Sequence, residues 1–404
     1  MNAPSVVEGL RFVQYAWPEL RLRVMAERYS TDGRAELSFF GLNGSDERLL
    51  HSCRVNLLST NTMSGLAKRL QENSDSLPWT DILTYVTGKT LEIARRGDPV
   101  EEVWPSEQDS LQVDYLLKPL LYLNHPTVMF GDYGSLKSLL ALVAAYVVQL
   151  PYRDNNLGLV TGADPALCLY LDYEDDMSSF RRRWTALERG FGDVTMPILY
   201  QRMTATVTDS VEALSRTIVN KGVGLLLVDS LGPAARGNLN DPEPAIKYHA
   251  ALRELGVTSL TLAHTAKDQL TKKRTIFGSV FFTNLARSVW ECKAEQETGE
   301  DEATISLKQT KANLSRLHAP LGYRFTFSDD AITVARADLR DTSLSGELPL
   351  SWQIKNLLRK GSFTVAEIAE QLESGPDTIG RTLRRMRTKG QALRLEDDTW
   401  GLQL

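Results

Sequence analysis

Residues Thr127 to Tyr146 (TVMFGDYGSLKSLLALVAAY) constrain this chain more than any other stretch. An apolar, strand-like run leads into a glycine-containing loop, and a strongly apolar helical run follows. The loop Gly131-Asp132-Tyr133-Gly134-Ser135-Leu136-Lys137-Ser138 has the spacing G-x-x-x-x-G-K-[ST], except that Leu136 stands where the last glycine belongs. Backbone N–H groups of such a loop wrap phosphates, the lysine reaches the β and γ oxygens, and the hydroxyl ligates magnesium. Gly131 and Gly134 supply the curvature, Lys137 the charge and Ser138 the metal ligand. A side chain at Leu136 is expected to obstruct close backbone approach or to alter the loop. The competing reading is a strand-to-helix turn with a chance Lys-Ser.

With 404 residues, two or three domains are expected. Residues 1–110 read as a small α+β domain. In it, strands RLRVMAERY and AELSFFGL are separated by the turn dipeptide Asp32-Gly33, and a second turn at Asn43-Gly44 precedes LLHSCRVNLLS. Helical spacing marks Met63–Leu70 and Trp79–Ala94. The charged, proline-containing run RRGDPVEEVWPSEQDS is a linker. Residues 111–340 alternate apolar strands (PTVMF, ALCLYLDYE, MPILYQR, GLLLVDS, TSLTLAH) with helices at 138–149, 176–190, 209–221 and 241–255, the pattern of a mostly parallel sheet covered on both faces. SVWECKAE, TISLKQTK, YRFTFS and AITVARA are expected to extend that sheet antiparallel. Residues 350–404 read as three helices (352–360, 364–372, 377–389) and a short wing, the order of a winged helix-turn-helix.

A net charge of −5 gives no bulk attraction to nucleic acid, so any such contact must be local. Three dispersed cysteines and five dispersed histidines form no zinc or disulfide framework and suit core thiols in a reducing cytoplasm. The first residues carry Glu8 and Arg11 and do not read as a signal peptide. Leu139–Val148 is about half a membrane span and reads as a buried helix.

Three strand ends carry further chemistry. GLLLVDS ends in Asp229, placed to bind magnesium through water. LYLDYEDD ends in Asp172, Glu174, Asp175 and Asp176. Glu174 is the candidate base that polarises an attacking water, with surface acid as the alternative. TSLTLAH ends in His264, placed to bond or sense the γ-phosphate, since ligands sit at the C-terminal ends of parallel strands. A polar residue satisfied within its own loop is the rival reading. Downstream, Lys272, Lys273 and Arg274 (after Lys267) suit a nucleic-acid backbone or form a solvated charge run.

The motifs GDYGSLKS, LYLDYEDD, LLLVDSLGPA, LAHTAKD and GSVFFTNLARSVWE, spanning about 113–330, resemble RecA-superfamily ATPases of the plasmid RepA and replicative-helicase branch (the AAA_25 group). The whole chain is also similar to phage- and plasmid-borne ATPases with an uncharacterised front domain. The resemblance implies a RecA-like P-loop NTPase core using ATP and Mg2+ in a homo-oligomeric ring, commonly hexameric. It assigns Glu174 as base, Asp229 as acid and His264 as sensor. Basic residues reaching the neighbouring subunit's γ-phosphate would be Arg287 and Lys308 or Lys311.

In the last domain, Thr364 and Glu367 form a capping box and Asp377 is placed to cap the third helix. Ile379, Leu383 and Met386 face inward, leaving Arg381, Arg384, Arg385, Arg387 and Lys389 exposed, with Arg394 on the wing. Thr378 and Arg381 suit base edges and the other arginines suit phosphates. The acidic tip Glu396-Asp397-Asp398 counts against DNA at the wing, and a protein-docking module is the alternative.

The expectation is a DNA-associated ring ATPase of plasmid or phage replication, a helicase in its strongest form. Single-stranded DNA would run through the core, duplex DNA would meet the C-terminal domain, and a replication partner would meet the N-terminal one. The rivals are a nucleotide-dependent switch that hydrolyses slowly or not at all, and an assembly protein merely stabilised by nucleotide.

Overall fold

Period-two alternation organises the first part of the chain. Val13, Tyr15 and Trp17, then Leu22, Val24 and Ala26, then Ala35, Leu37 and Phe39 are all buried, so every second side chain enters one face of a sheet. Its strands are β1 (Ser5–Gly9), β2 (Phe12–Trp17), β3 (Leu22–Glu27), β4 (Arg34–Asn43) and β5 (Asp46–Asn56), an antiparallel meander in sequence order. Helices α1 (Thr60–Asn73) and α2 (Trp79–Arg96) close the core with Leu66, Leu70, Trp79, Ile82, Leu83 and Val86. Asp32-Gly33 makes the β3–β4 turn, Gly33 at a φ of 89° that favours glycine. Strands β1 and β2 come in addition to those expected from the sequence.

The computed structural model describes residues 2–9, 11–43, 46–74, 76–96, 100, 102, 104, 112–151, 155–162, 164–192, 196–266 and 274–403. Gly44, Lys267, Lys272, Lys273 and most of the expected linker lie outside the described residues. Two compact units emerge, one of residues 1–111 with 209–221, the other of 112–208 with 222–404.

The second unit contains β6 (Tyr115–Lys118), β7 (Leu121–Tyr122), β8 (Pro126–Gly131), α3 (Lys137–Gln149), β9 (Val160–Thr161), β10 (Leu167–Asp172), α4 (Met177–Phe191) and β11 (Leu199–Arg202). Helix α5 (Val211–Lys221) comes next in the chain but groups with the first unit. Then follow β12 (Val223–Asp229), α6 (Leu231–Ala235), α7 (Pro242–Leu255), β13 (Thr258–Ala266), β14 (Thr275–Ile276), α8 (Val280–Leu285), β15 (Ser288–Glu295), β16 (Glu302–Ala312), β17 (Leu321–Phe327) and β18 (Ile332–Arg336).

A 10-stranded sheet runs β11-β10-β12-β13-β8-β15-β16-β17-β18, with β14 on β13. From β11 to β15 every neighbouring pair is parallel. Strand β15 corrects the expectation of an antiparallel extension. The chain crosses through α8 before entering it, so Ser288 and Glu291 pair in parallel with Thr127 and Phe130 of β8. Antiparallel pairing begins only at β16. Connections leave β8 toward β10 on one side and reach β15 on the other, so β8 lies at the point where strand order reverses, the usual place for a ligand. Helix α3 is apolar on nearly all sides and fully enclosed, from Leu139 to Gln149. Among the described residues no helix is long and apolar enough to cross a membrane.

At the C-terminal end, α9 (Leu350–Leu358), α10 (Val365–Gln371) and α11 (Pro376–Thr388) pack with the hairpin β19 (Ala392–Arg394) and β20 (Trp400–Leu402) around Ile354, Ile368, Ile379, Leu383, Met386 and Trp400. The Thr364–Glu367 capping box forms. Asp377 does not cap α11: it stands inside the helix, one residue after Pro376 at the first helical position, and Gly375 is the cap residue.

Candidate active site

The C-terminal ends of β8, β10, β12 and β13 open onto a cleft of 340 Å³ lined by residues 133–139 together with Glu174, Arg183, Asp229, Ser230, His264, Phe327 and Ile332. Its floor is the loop between β8 and α3. Gly131 is required there: a Cβ would come within 2.3 Å of the Cys292 carbonyl oxygen on β15. Gly134 turns the loop at a φ of 76°. Leu136 adopts φ 57° and ψ 23°, the left-handed backbone that glycine takes freely and that costs another residue about 1–2 kcal/mol. The loop shape is therefore kept despite the substitution, and the Leu136 side chain is partly buried against the core.

Lys137 is buried, and its ammonium donates to Gly131 O (3.0 Å), Asp132 O (2.8 Å) and Ser135 Oγ (3.1 Å). Burial lowers its pKa, while Cys292, Asp229, Glu174 and Asp132 act in the opposite sense. Tyr133, by contrast, is 95% exposed. Asp132 receives the Arg274 guanidinium at 2.8 Å, so Arg274 closes onto this loop in the present structure.

The four acids after β10 separate by geometry. Asp172 is buried and accepts the backbone N–H groups of Glu174 and Asp175, each at 2.9 Å, and so shapes the turn. Asp175 pairs with Arg183 at 3.1 Å. Asp176 caps α4 through Ser179 N, a bond that lowers its pKa. Glu174 alone of the four lines the cleft, where its Oε1 accepts the Ser230 hydroxyl and stands 3.5 Å from His264 Nε2. His264 lies in register with Gly131, next to the phosphate-loop strand.

Asp229 is 6% exposed and accepts the Tyr170 hydroxyl at 2.5 Å. Burial pushes its pKa up, against hydrogen bonds from Ser138 and Tyr170. A buried carboxylate beside a hydroxyl is a hard-oxygen donor pair that a divalent cation would stabilise. Among the described residues no cluster of three or more His, Cys, Asp or Glu could hold a metal. Magnesium on Ser138 and Asp229 would therefore complete its shell with phosphate oxygens and water, which suits this ion.

Arg287, Lys308 and Lys311 do not line the cleft of their own chain. Arg287 is exposed, and its N–H bonds Pro126 O at the start of β8, the end opposite the loop. Lys308 faces Glu291 across the β15–β16 register. Lys311 donates to the carbonyls of Thr283 (2.9 Å), Asn284 (2.7 Å) and Ala286 (2.7 Å), closing the end of α8. Thr378, Arg381, Arg384, Arg385, Arg387 and Lys389 are all exposed on α11 and at its end, and Arg394 pairs with Asp398 at 2.7 Å.

Sequence reasoning missed Ser230, Arg183, Phe327 and Ile332. Ser230 follows Asp229 directly, and its place at an apolar strand's polar end is a signal that could have found it. Phe327 and Ile332 flank a turn between antiparallel strands, and nothing local says that their side chains meet a loop some 190 positions earlier.

Strand order, phosphate loop and convergent acids define a RecA-like or AAA-type P-loop ATPase fold, an α/β core with a mixed parallel and antiparallel sheet. The AAA_25 family model, described as an AAA domain, matches residues 92–270. The solved structure of a KaiC-like protein from the hyperthermophilic archaeon Pyrococcus horikoshii is 17% identical, with a TM-score of 0.39 over 54% of this chain and 93% of that one. No curated protein matches the sequence significantly.

Proposed function

We propose that this protein is a DNA-associated, ring-forming ATPase, with Lys137 and Ser138 on the phosphates and metal, Asp229 as acid, Glu174 as base and His264 as sensor. The carrying observation is the cleft in which all five side chains meet at the ends of adjacent strands. Magnesium bound by Ser138 and Asp229 would supply charge neutralisation to the leaving phosphates. Lys137, now held by three loop oxygens, exchanges those weak acceptors for phosphate oxygens. Glu174 orients a water and takes its proton, and Ser230 and His264 hold the carboxylate in place. Phe327, Ile332 and Leu136 give the cleft an apolar wall, and the Arg183 guanidinium gives it a plane suited to a base.

The ring, and with it the role of Arg287 or Lys308 against a neighbour's nucleotide, follows from the resemblance to RepA-type ATPases. Capping of α8 makes Lys311 the weaker choice. The exposed basic row of α11 supports a winged-helix reading with duplex DNA as ligand. Arg274 pairs with Asp132 of the phosphate loop, which favours a role at that loop over contact with a DNA backbone. Calorimetry with ATP and magnesium, followed by turnover with and without single-stranded DNA, tests the proposal. Strong stimulation supports a motor, and no affinity for ATP or GTP overturns the site.

The left-handed Leu136 favours a second reading, a nucleotide-dependent switch. A loop that needs glycine geometry yet carries leucine holds that backbone at a cost of about 1–2 kcal/mol and adds apolar bulk to the cleft lining. Binding without turnover would decide for the switch.

A further inference from the structure

A basic cavity lies in the C-terminal helices, sharing only Lys389 with the basic row of α11 and no lining residue with the ATP cleft. Its volume is 390 Å³, and α9 builds most of it with Trp352, Lys355, Asn356 and, just past its end, Arg359. Those positions are spaced i, i+3, i+4 and i+7, so they share one helix face. Lys389, just past the end of α11, and Gln391 complete the opposite wall. Three cations and two amides therefore converge beside an indole that is 48% exposed. Among the described residues no carboxylate lines the cavity. Asp338 acts electrostatically on Arg359 from outside it but is itself bonded to Arg340. The acids of residues 350–404 lie on α10, in the turn after it at Glu373, at the start of α11 and on the hairpin tip, and none lies on α9.

We propose that this cavity binds single-stranded nucleic acid, one base stacking on Trp352 while Lys355, Arg359 and Lys389 hold the flanking phosphates. Stacking on an exposed aromatic beside a cationic track tolerates any sequence, because every base presents a π-face. The amides of Asn356 and Gln391 offer donors and acceptors to a base edge. A duplex keeps its bases stacked inside and cannot use Trp352 this way. The proposal rests on the DNA association proposed above. It adds a strand site on α9 that shares only Lys389 with the duplex contact along α11.

The test uses the full-length protein and a fluorescein-labelled oligothymidine, followed by anisotropy across a salt series. Trp352→Ala is expected to weaken binding roughly tenfold and Trp352→Phe to restore most of it. Lys355→Glu with Arg359→Glu is expected to flatten the slope of log affinity against log salt by about 0.7 for each phosphate that is no longer neutralised. Magnesium-ATP affinity of each variant, read by calorimetry, should equal that of the parent chain, which separates this site from the nucleotide cleft. Arg381→Ala with Arg384→Ala should reduce duplex binding and spare oligothymidine. Unchanged oligothymidine affinity in folded Trp352→Ala overturns the proposal, as does equal loss of single-stranded and duplex binding in the α9 variants. Either result leaves the ATPase reading and the α11 reading standing.

Discussion

Two lysines, one at the start of α3 and one on a strand of the central sheet, solve one local problem and differ in what lies beyond. Lys137, after β8, and Lys311, on β16, each donate to three oxygens, and burial lowers the pKa of both. Around Lys137 stand Asp229, Glu174 and Asp132, and its ammonium borders an open cleft. Beside Lys311 stands another cation, Arg287, and its ammonium is engaged by the end of a short helix. A lysine held by its own loop and facing anionic neighbours can change partners when a polyphosphate arrives. One that caps a helix end has nothing to gain by leaving. The number of hydrogen bonds alone does not distinguish a site from a staple; the surrounding charge and the available space do.

The largest effects should fall on the cleft side. Glu174→Gln is expected to lower turnover about 100- to 10,000-fold with ATP affinity retained. Lys137→Ala should lower it about 100- to 1,000-fold while also weakening ATP binding. Both are checked by steady-state hydrolysis and calorimetry. A Lys137→Ala protein that still hydrolyses normally would erase the distinction between the two lysines.

Lys311→Ala tests the other side. Loss of the cap leaves carbonyls unpaired, so the protein should lose about 1–3 kcal/mol in denaturant melts, with turnover per folded molecule little changed. Unchanged stability with collapsed turnover would instead make Lys311 a residue that acts on a neighbour's nucleotide.

Asp229→Asn should abolish metal-dependent turnover while stabilising the fold by about 1–3 kcal/mol at neutral pH. The sign follows from the raised pKa of Asp229: folding favours its protonated form, so its stabilising contribution is present below the ordinary carboxylate value of 3.8 and is lost as pH rises through the folded pKa. The stability gap between Asp229→Asn and the parent chain should therefore narrow in thermal melts as pH falls.

The smallest shift is expected for Leu136→Gly. Relief of about 1–2 kcal/mol of left-handed strain is offset by the greater freedom of glycine in the unfolded chain. Stability should change by less than about 1 kcal/mol, and turnover should rise if Leu136 impedes phosphate approach. Denaturant melts and steady-state hydrolysis read the two effects separately.

Local signals carry much of this molecule. The glycine pattern, the apolar strands and their terminal acids single out Lys137, Glu174, Asp229 and His264, because each sits where the sequence changes abruptly from apolar to polar. The choice of Glu174 among four acids is legible only as chemistry. Its separation from Asp172, Asp175 and Asp176 depends on hydrogen bonds that spacing does not reveal. Strand direction at β15 and the apolar wall of Phe327 and Ile332 are set by long-range pairing and have no local signature. Leu136 reads as a defect from its side chain, whereas the backbone holds the required geometry and the side chain turns toward the core.

Helix α5 has a practical consequence for dissecting the protein. It is encoded between β11 and β12 of the central sheet, yet it belongs with the first unit, where Glu212 meets Arg28 and Arg216 meets Glu27. The chain thus threads back and forth, and a fragment cut near residue 111 would carry α5 into solution without its ion-pair partners and the packing of β1. Preparing the second unit by itself would require excising or redesigning residues 209–221 as well, so a single cut does not separate the two units.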